Sequence, residues 1–346
     1  MDNSLIPLDL NESYWLLDSD LYDTWPVPDR ELLATYPDYV EFRSELAEYS
    51  GVAADSICIT DGSDQAIEKI IELCSRKKLR VLLPLPTFSG YEIMFNRTDI
   101  DQLRIYYTED RGVFHYPLEE TLASMRSGSV GALFLCQPNN PLGTILSAED
   151  YGLILDTARD NNVLVVTDEA YAEFTDSSTV SRIMDQPIFI LRTFSKSFGL
   201  AGLRVGYVIA QPTIATELSK LLLPWPVSGT SMHYAQLALQ HRKSFAERRS
   251  QLVTLRSKFF ETLSMIKGIV VYASTANFIL IRVPHADVVE QHMRKSGIKI
   301  ALGEKKTSDP RVKSLLSSTI RLSVPSPMHL EEVVRALKEA VDNLDK

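Results

Sequence analysis

Cysteine is scarce in this chain: Cys58, Cys74 and Cys136 are the only three among 346 residues. The count is odd and no pair has CxxC spacing, which removes a disulfide framework and a structural zinc site from consideration. No uncharged apolar run reaches the ~18 residues of a membrane span. The opening stretch Met1–Pro7 lacks the basic and apolar regions of a signal peptide. Positive charge is in deficit, with 36 basic against 45 acidic residues and a net charge of −9. That balance argues against nucleic acid or an anionic membrane as a general partner. The glycines never fall in GxGxxG or GxxxxGK[ST] spacing, so a nicotinamide oxidoreductase or a P-loop enzyme is disfavoured. What remains is a cytoplasmic, acidic α/β protein, long enough to bury roughly 75% of its unfolded surface.

What is present is an alternation of two patterns. Short β-branched runs occur at Arg80–Leu83, Ala132–Cys136, Val163–Thr167, Phe189–Leu191 and Val205–Ala210. Amphipathic stretches at Ala66–Ser75, Leu118–Met125 and Ala148–Asp160 lie between them. Such alternation predicts a mostly parallel sheet covered on both faces, with ligands at the carboxyl ends of its strands. After the break at Leu223–Pro226 the spacing predicts a long helix over His241–Met265, strands at Asn277–Val283 and Thr319–Val324, and helices at Ala286–Ser296 and from Leu330. This is the pattern of a smaller α+β unit. The first 40 residues read as an extended arm and loops.

The loops after the strands carry the chemistry. Phe194-Ser195-Lys196-Ser197-Phe198-Gly199 places a lysine among apolar and small residues. It is either a surface lysine or a Schiff-base lysine whose amine loses its proton on desolvation. Asp168-Glu169-Ala170-Tyr171 follows an apolar strand. A carboxylate there is costly to bury without a cation, so Asp168 is a helix cap or the partner of a protonated heterocyclic nitrogen. Tyr171 is spaced to hydrogen-bond the same ring. Gln137-Pro138-Asn139-Asn140-Pro141 is a rigid turn that can aim an asparagine amide. Thr60-Asp61-Gly62-Ser63-Asp64 opens a helix and offers free backbone N–H groups to an anion. Arg204 and Ser195 add donors suited to a phosphate. Arg321 stands alone among the apolar residues of its strand, to pair with a protein carboxylate or a substrate carboxylate.

The order of these motifs resembles the pyridoxal-phosphate enzymes of the aspartate-aminotransferase fold type I, and within them the histidinol-phosphate aminotransferase family. Tyr36-Pro37-Asp38, Gly62-Ser63-Asp64, Pro86-Thr87-Phe88, Pro138-Asn139-Asn140-Pro141, Asp168-Glu169-Ala170-Tyr171 and Arg192 through Arg204 carry the resemblance. It implies a large α/β/α domain over residues 38–240, and a small α+β domain built from 1–37 with 241–346. It implies pyridoxal 5′-phosphate as cofactor, an amino donor and a 2-oxo acid as substrates in amino-acid metabolism, and a homodimer. It further implies that Lys196 forms the aldimine, Asp168 holds the ring nitrogen, and Tyr171 and Asn140 reach the ring hydroxyl. Phe88 stacks on the ring, while Ser63, Asp64, Ser195 and Arg204 bind the phosphate. Tyr36 reaches the cofactor of the neighbouring subunit. Arg321, Asn11 and Tyr14 face the substrate. Histidinol-phosphate enzymes use a further arginine near the last strand, where Ile298–Lys306 offers only lysines such as Lys305 and Lys306. A decarboxylase resembling threonine-phosphate decarboxylases would need the same cofactor residues. A cofactor-binding protein without catalysis is opposed by the intact Lys196, Asp168 and Arg321.

Overall fold

The computed structural model describes residues 5–175 and 177–344, with the side chain of Lys306 outside that set. Seven strands form the main sheet: β1 (Ile57–Asp61), β2 (Val81–Leu85), β3 (Gln102–Tyr106), β4 (Ala132–Cys136), β5 (Leu164–Asp168), β6 (Ile188–Thr193) and β7 (Val205–Ile209). Their order is β1-β7-β6-β5-β4-β2-β3. The pairs from β6 to β3 are parallel, and β7 runs antiparallel to both of its neighbours. The sheet is thus mixed but mostly parallel, as the alternation in the sequence predicts.

Alternation along the strands explains why both faces are covered. Leu82, Leu133, Leu135, Val165 and Ile190 share one apolar core with helices Val40–Ser50, Leu118–Arg126 and Ala148–Asp160. The intervening Val81, Leu83, Phe134, Val166 and Phe189 share a second core with α1 (Gly62–Arg76). A strand apolar at every position needs partners on both sides, and these helices supply them.

The two edge strands, β1 and β3, are absent from the strands read off the sequence. β3 mixes Gln102 and Arg104 with Leu103 and Ile105, so it shows no apolar run. β2 extends through Pro84, beyond the expected end at Leu83. Its register with β4 ends at Leu82, so the missing N–H of Pro84 falls where β4 no longer pairs.

A second sheet is antiparallel, with β8 (Val270–Val271), β9 (Phe278–Arg282), β10 (Ala301–Leu302) and β11 (Thr319–Ser323) in the order β8-β9-β11-β10. Ile279, Ile281, Ile320 and Leu322 pack on Val289, Met293, Val333 and Leu337 of the flanking helices. The helix Arg242–Ser264 joins the two cores, with Phe245 in the large one and Phe259 and Leu263 in the small one. Near the N-terminus, Ile6–Pro7 pairs in parallel with Ile298–Lys299, and Ser323 N–H donates to Leu8 O at 2.9 Å. Leu21 and Trp25 pack into the large core instead. Between these anchors, residues 9–13 form a strap across the carboxyl ends of the main strands. Among the described residues, no helix is long and apolar enough to cross a membrane.

Candidate active site

A cavity of about 380 Å³ opens where the carboxyl ends of the main strands meet the strap and the small sheet. One wall is built on α1. Gly62 opens this helix at φ +63°, and a Cβ there would lie 2.4 Å from Arg204 Nη2. Gly206 on β7 is packed against the same turn: a Cβ on it would stand 2.5 Å from Gly62 C and 2.7 Å from Ser63 N. Two bare Cα positions thus let strand, helix start and arginine approach one another. Arg204 Nη2 pairs with Asp64 Oδ2 at 3.0 Å, and its Nη1 donates to Ser195 Oγ at 3.4 Å.

Lys196 follows β6 in a run of turns. Its Nζ donates to Leu10 O at 2.9 Å and to Asn11 O at 3.3 Å. Gly199 makes the approach possible, because a Cβ at its φ of +67° would lie 2.6 Å from Ser13 O. Burial first, and the charge of Arg321 second, lower the Lys196 pKa to about 8.

Asp168 ends β5 with 3% of its surface exposed. It accepts hydrogen bonds from Ala170 N–H at 3.0 Å and Tyr91 OH at 3.4 Å, and makes no ion pair among the described residues. Burial raises its pKa to about 6. The Tyr171 hydroxyl accepts from Asn11 Nδ2 at 2.9 Å and Asn140 Nδ2 at 3.3 Å, and its ring centroid is 5.9 Å from Lys196 Nζ. Burial also drives the Tyr171 phenol above its ordinary range, with Arg321 pulling the other way.

Arg321 on β11 is 7% exposed. Its neighbours Ile320 and Leu322 enter the small core, so the guanidinium turns to the cavity. It donates Nη1 to Asn140 Oδ1 and Nη2 to Asp9 O, leaving Nε without a partner. No carboxylate pairs with it among the described residues.

Of the residues singled out from sequence, Asn11, Ser63, Asp64, Phe88, Asn140, Asp168, Tyr171, Ser195, Lys196, Arg204 and Arg321 line this one cavity. Two do not. Tyr14 is 45% exposed outside it. Tyr36 is 75% exposed and stacks on Trp225, with ring centroids 4.1 Å apart. Sequence reading missed Leu10, Glu12, Thr307, Val312 and Leu316, which also line the cavity. For the last three a signal existed. Asp309 before Pro310 starts a helix, with its carboxylate accepting from Arg311 N–H at 2.9 Å. Glu92 ties the preceding turn to the large core, accepting from Thr307 Oγ1 at 2.7 Å. Lys305 is exposed, and the side chain of Lys306 lies outside the described residues.

Comparison with known proteins agrees with this geometry. The family described as aminotransferase class I and II matches residues 27–337. A histidinol-phosphate aminotransferase of Desulfitobacterium hafniense is 32% identical over 310 residues, covering 88% of this chain and 83% of that protein. The crystal structure of the histidinol-phosphate aminotransferase from Clostridium acetobutylicum superposes with a TM-score of 0.83 at 23% identity, covering 98% of this chain and 100% of that one. That of Sinorhizobium meliloti, solved with pyridoxal-5′-phosphate, superposes with a TM-score of 0.81 at 22% identity, covering 98% and 91%.

Proposed function

Because the chain belongs to the class I and II aminotransferases, whose cofactor is pyridoxal 5′-phosphate, we propose that it moves the amino group of an amino acid, or of an amine derived from one, to a 2-oxo acid. The observation that carries this reading is the convergence of a half-buried lysine, a buried unpaired carboxylate and a buried arginine without a carboxylate on one cavity.

The donor set fits the cofactor. Asp168 is a buried anion in want of a cation, which a protonated ring nitrogen would be. The crowded approach of Gly62, Ser63 and Gly206 presents the start of α1 beside Arg204 and Ser195, a combination suited to a phosphate. Asn140 and Tyr171 would hold the ring hydroxyl, and Phe88 would flank the ring. Pyridoxal phosphate, when bound, supplies a carbonyl that captures the donor amine and a ring that takes up the electron pair of the broken Cα–H bond.

The chain's own residues do the rest. Lys196 Nζ, with its pKa lowered to about 8, is partly unprotonated near neutral pH and takes the proton from the substrate Cα. Held in the cavity, it acts as an intramolecular base. Arg321 orients the substrate carboxylate through its planar fork. Asn11 fixes the Tyr171 hydroxyl and, with the strap, keeps water from the reacting carbon.

We further infer a homodimer in which Tyr36 completes the partner's site. Tyr36, Leu33, Val40, Leu223 and Trp225 are all exposed and apolar, which supports a covered face. All three cysteines are buried free thiols, as suits a reducing cytoplasm. The test is to add amino donors to the holoenzyme and follow the absorbance of the bound cofactor as it passes to its amine form, then restore it with a 2-oxo acid. Release of CO₂ with no keto acid formed would instead select the decarboxylase.

A further inference from the structure

Resting on the aminotransferase reading above, we propose that Asn277 is a positioning residue of the reaction: its amide holds the strap at Asn11 over the cavity while Lys196 and Arg321 turn to cofactor and substrate.

Asn277 directly precedes β9 and is fully buried. Its Nδ2 donates to Asn11 O and to Ser13 Oγ, both at 2.9 Å, on partners 266 and 264 residues away in sequence. The segment that carries this amide is fixed from three sides. Asn277 O accepts from Val324 N–H at 2.9 Å, just past β11. Ala276 O accepts from Arg256 Nη1 at 2.9 Å, on the long helix. Gly143 O, in the turn after β4, accepts from Thr275 N–H at 2.8 Å. The next residue, Phe278, sets its ring edge-on to that of Tyr171, with 5.4 Å between centroids. A side chain on backbone so anchored loses little further freedom in making its two bonds.

The strap needs such a hold. Asn11 stands in the left-handed region at φ +55°, which asparagine tolerates better than most residues but not without cost. In that conformation its Nδ2 donates to Tyr171 OH at 2.9 Å, while its carbonyl accepts from both Lys196 Nζ and Asn277. Among the described residues, three side chains donate to backbone carbonyls of the strap. Lys196 reaches Leu10 O and Asn11 O, Arg321 reaches Asp9 O, and Asn277 reaches Asn11 O. The first two are the reacting amine and the fork for the substrate carboxylate. An amine engaged at the cofactor cannot also donate to two carbonyls, and a guanidinium that takes up a carboxylate commits N–H groups to it. Asn277 has no such second task, so it is the donor that stays on the strap through turnover and keeps the Asn11 amide on Tyr171.

The experiment is hydrogen exchange over residues 9–16, read by mass spectrometry on the wild type, Asn277→Ser and Ser13→Ala, each with and without pyridoxal phosphate. Without cofactor, Lys196 shares the Asn11 carbonyl; with it, that carbonyl depends on Asn277. Asn277→Ser should therefore speed exchange of these residues by about tenfold in the loaded protein, the scale of the bonds lost, and by no more than about threefold without cofactor. Ser13→Ala, which removes one of the two acceptors, should act in the same direction and less. Single turnover of loaded Asn277→Ser with an amino donor should slow by about tenfold, while its affinity for pyridoxal phosphate stays within about twofold of the wild type, because the amide touches the strap and not the phosphate cradle. Unchanged exchange in the loaded variant overturns the proposal. So does an equal acceleration with and without cofactor, the mark of a merely structural residue. If Asn277→Ser does not fold, the same comparison on Ser13→Ala decides. If the loaded wild type processes no amino donor, the aminotransferase reading fails, while the exchange comparison still decides the role of Asn277.

Discussion

Arg321 Nη1 and Asn140 Oδ1 lie 2.5 Å apart, joining the small sheet to the turn after β4. The same asparagine donates Nδ2 to Tyr171 OH at 3.3 Å. A cation from one sheet and a phenol from the other are thus held by one amide. The guanidinium is buried, its other contact is a backbone carbonyl, and its Nε has no partner. A buried charge met only by neutral groups is incompletely compensated, and an incoming carboxylate completes it.

Arg321→Ala should therefore raise KM for carboxylate-bearing donors steeply. Truncating one side of a buried charged pair costs on the order of 2–5 kcal/mol. Arg321→Lys keeps the charge but loses the fork, and should fall between the two. Steady-state kinetics with one donor and one acceptor checks this, and an unchanged KM removes Arg321 from substrate binding.

Lys196 yields a prediction on stability as well as turnover. Its pKa falls from the ordinary 10.5 to about 8. Below pH 8 both folded and unfolded chains hold the proton, so the folded state carries the full cost of the buried charge. Between about pH 8 and 10.5 the folded protein has released a proton that the unfolded chain still binds, so stability rises with pH there. Cofactor-free Lys196→Met should exceed the cofactor-free wild type at pH 7 by on the order of 3–4 kcal/mol, at about 1.4 kcal/mol per pKa unit. Urea midpoints across pH 7 to 10.5, the range set by those two values, should show the gap closing. A constant gap contradicts the lowered pKa. The same variant should have no turnover and no borohydride-reducible link to the cofactor.

Glu169 and Arg192 anchor the two loops that bear Asp168 and Lys196. Arg192 Nη2 meets Glu169 Oε2 at 2.6 Å, and Glu169 also accepts from Thr179 N–H at 2.7 Å. Removing Arg192 leaves the buried Glu169 carboxylate without a cation, so Arg192→Met should cost about 3–5 kcal/mol; Glu169→Gln should cost less, because Arg192 keeps Glu173 at 3.9 Å. The double variant should lose less than the sum of the two. Chemical denaturation of all three proteins tests it, and strict additivity would mean that the pair is not coupled.

Tyr36 is tested by mixing subunits. Tyr36→Ala should weaken pyridoxal phosphate binding about tenfold, the scale of one hydrogen bond to a charged group. Lys196→Ala is inactive on its own. A hybrid of the two variants carries one site with both native residues, so co-refolding should restore activity above either parent. No recovery, in a sample whose mass by sedimentation is twice 38.9 kDa, would confine Tyr36 to its own subunit.

The central strands were legible because burial on both faces writes a continuous apolar run, as in Ala132–Cys136. The edge β3 was not, since an edge strand can carry Gln102 and Arg104 without cost, and the apolar part of β1 is only Ile57–Ile59 before the helix opening begins. The site divides the same way. Asp168, Lys196 and Arg204 sit in or beside strand-end loops, where chemistry follows from local pattern. Glu12 reaches the cavity on the strap, and Thr307, Val312 and Leu316 reach it beside the helix Pro310–Leu315, which packs on the second core of the main sheet. The start of that helix is written locally, but its place at the cavity depends on contacts between residues far apart in the chain, such as Glu92 with Thr307, and no local periodicity records those.

The crowded start of α1 gives the most local test of the phosphate cradle. A Cβ at Gly206 would stand 2.5 Å from Gly62 C and 2.7 Å from Ser63 N, and backbone cannot swing aside as a side chain can. Gly206→Ala must therefore push the helix start away from β7, carrying Ser63 N–H with it. Overpacking of this kind costs about 1–3 kcal/mol, and where it displaces the donors the loss should appear in pyridoxal phosphate affinity as roughly 5- to 150-fold. Gly152→Ala is the control, because a Cβ there meets nothing within 4 Å and lies within the helix Ala148–Asp160. It should leave cofactor affinity unchanged and raise stability by about 0.5–1 kcal/mol. Fluorescence titration of the two cofactor-free proteins separates the cases. If Gly206→Ala binds the cofactor as tightly as Gly152→Ala does, the phosphate is not held by the first turn of this helix.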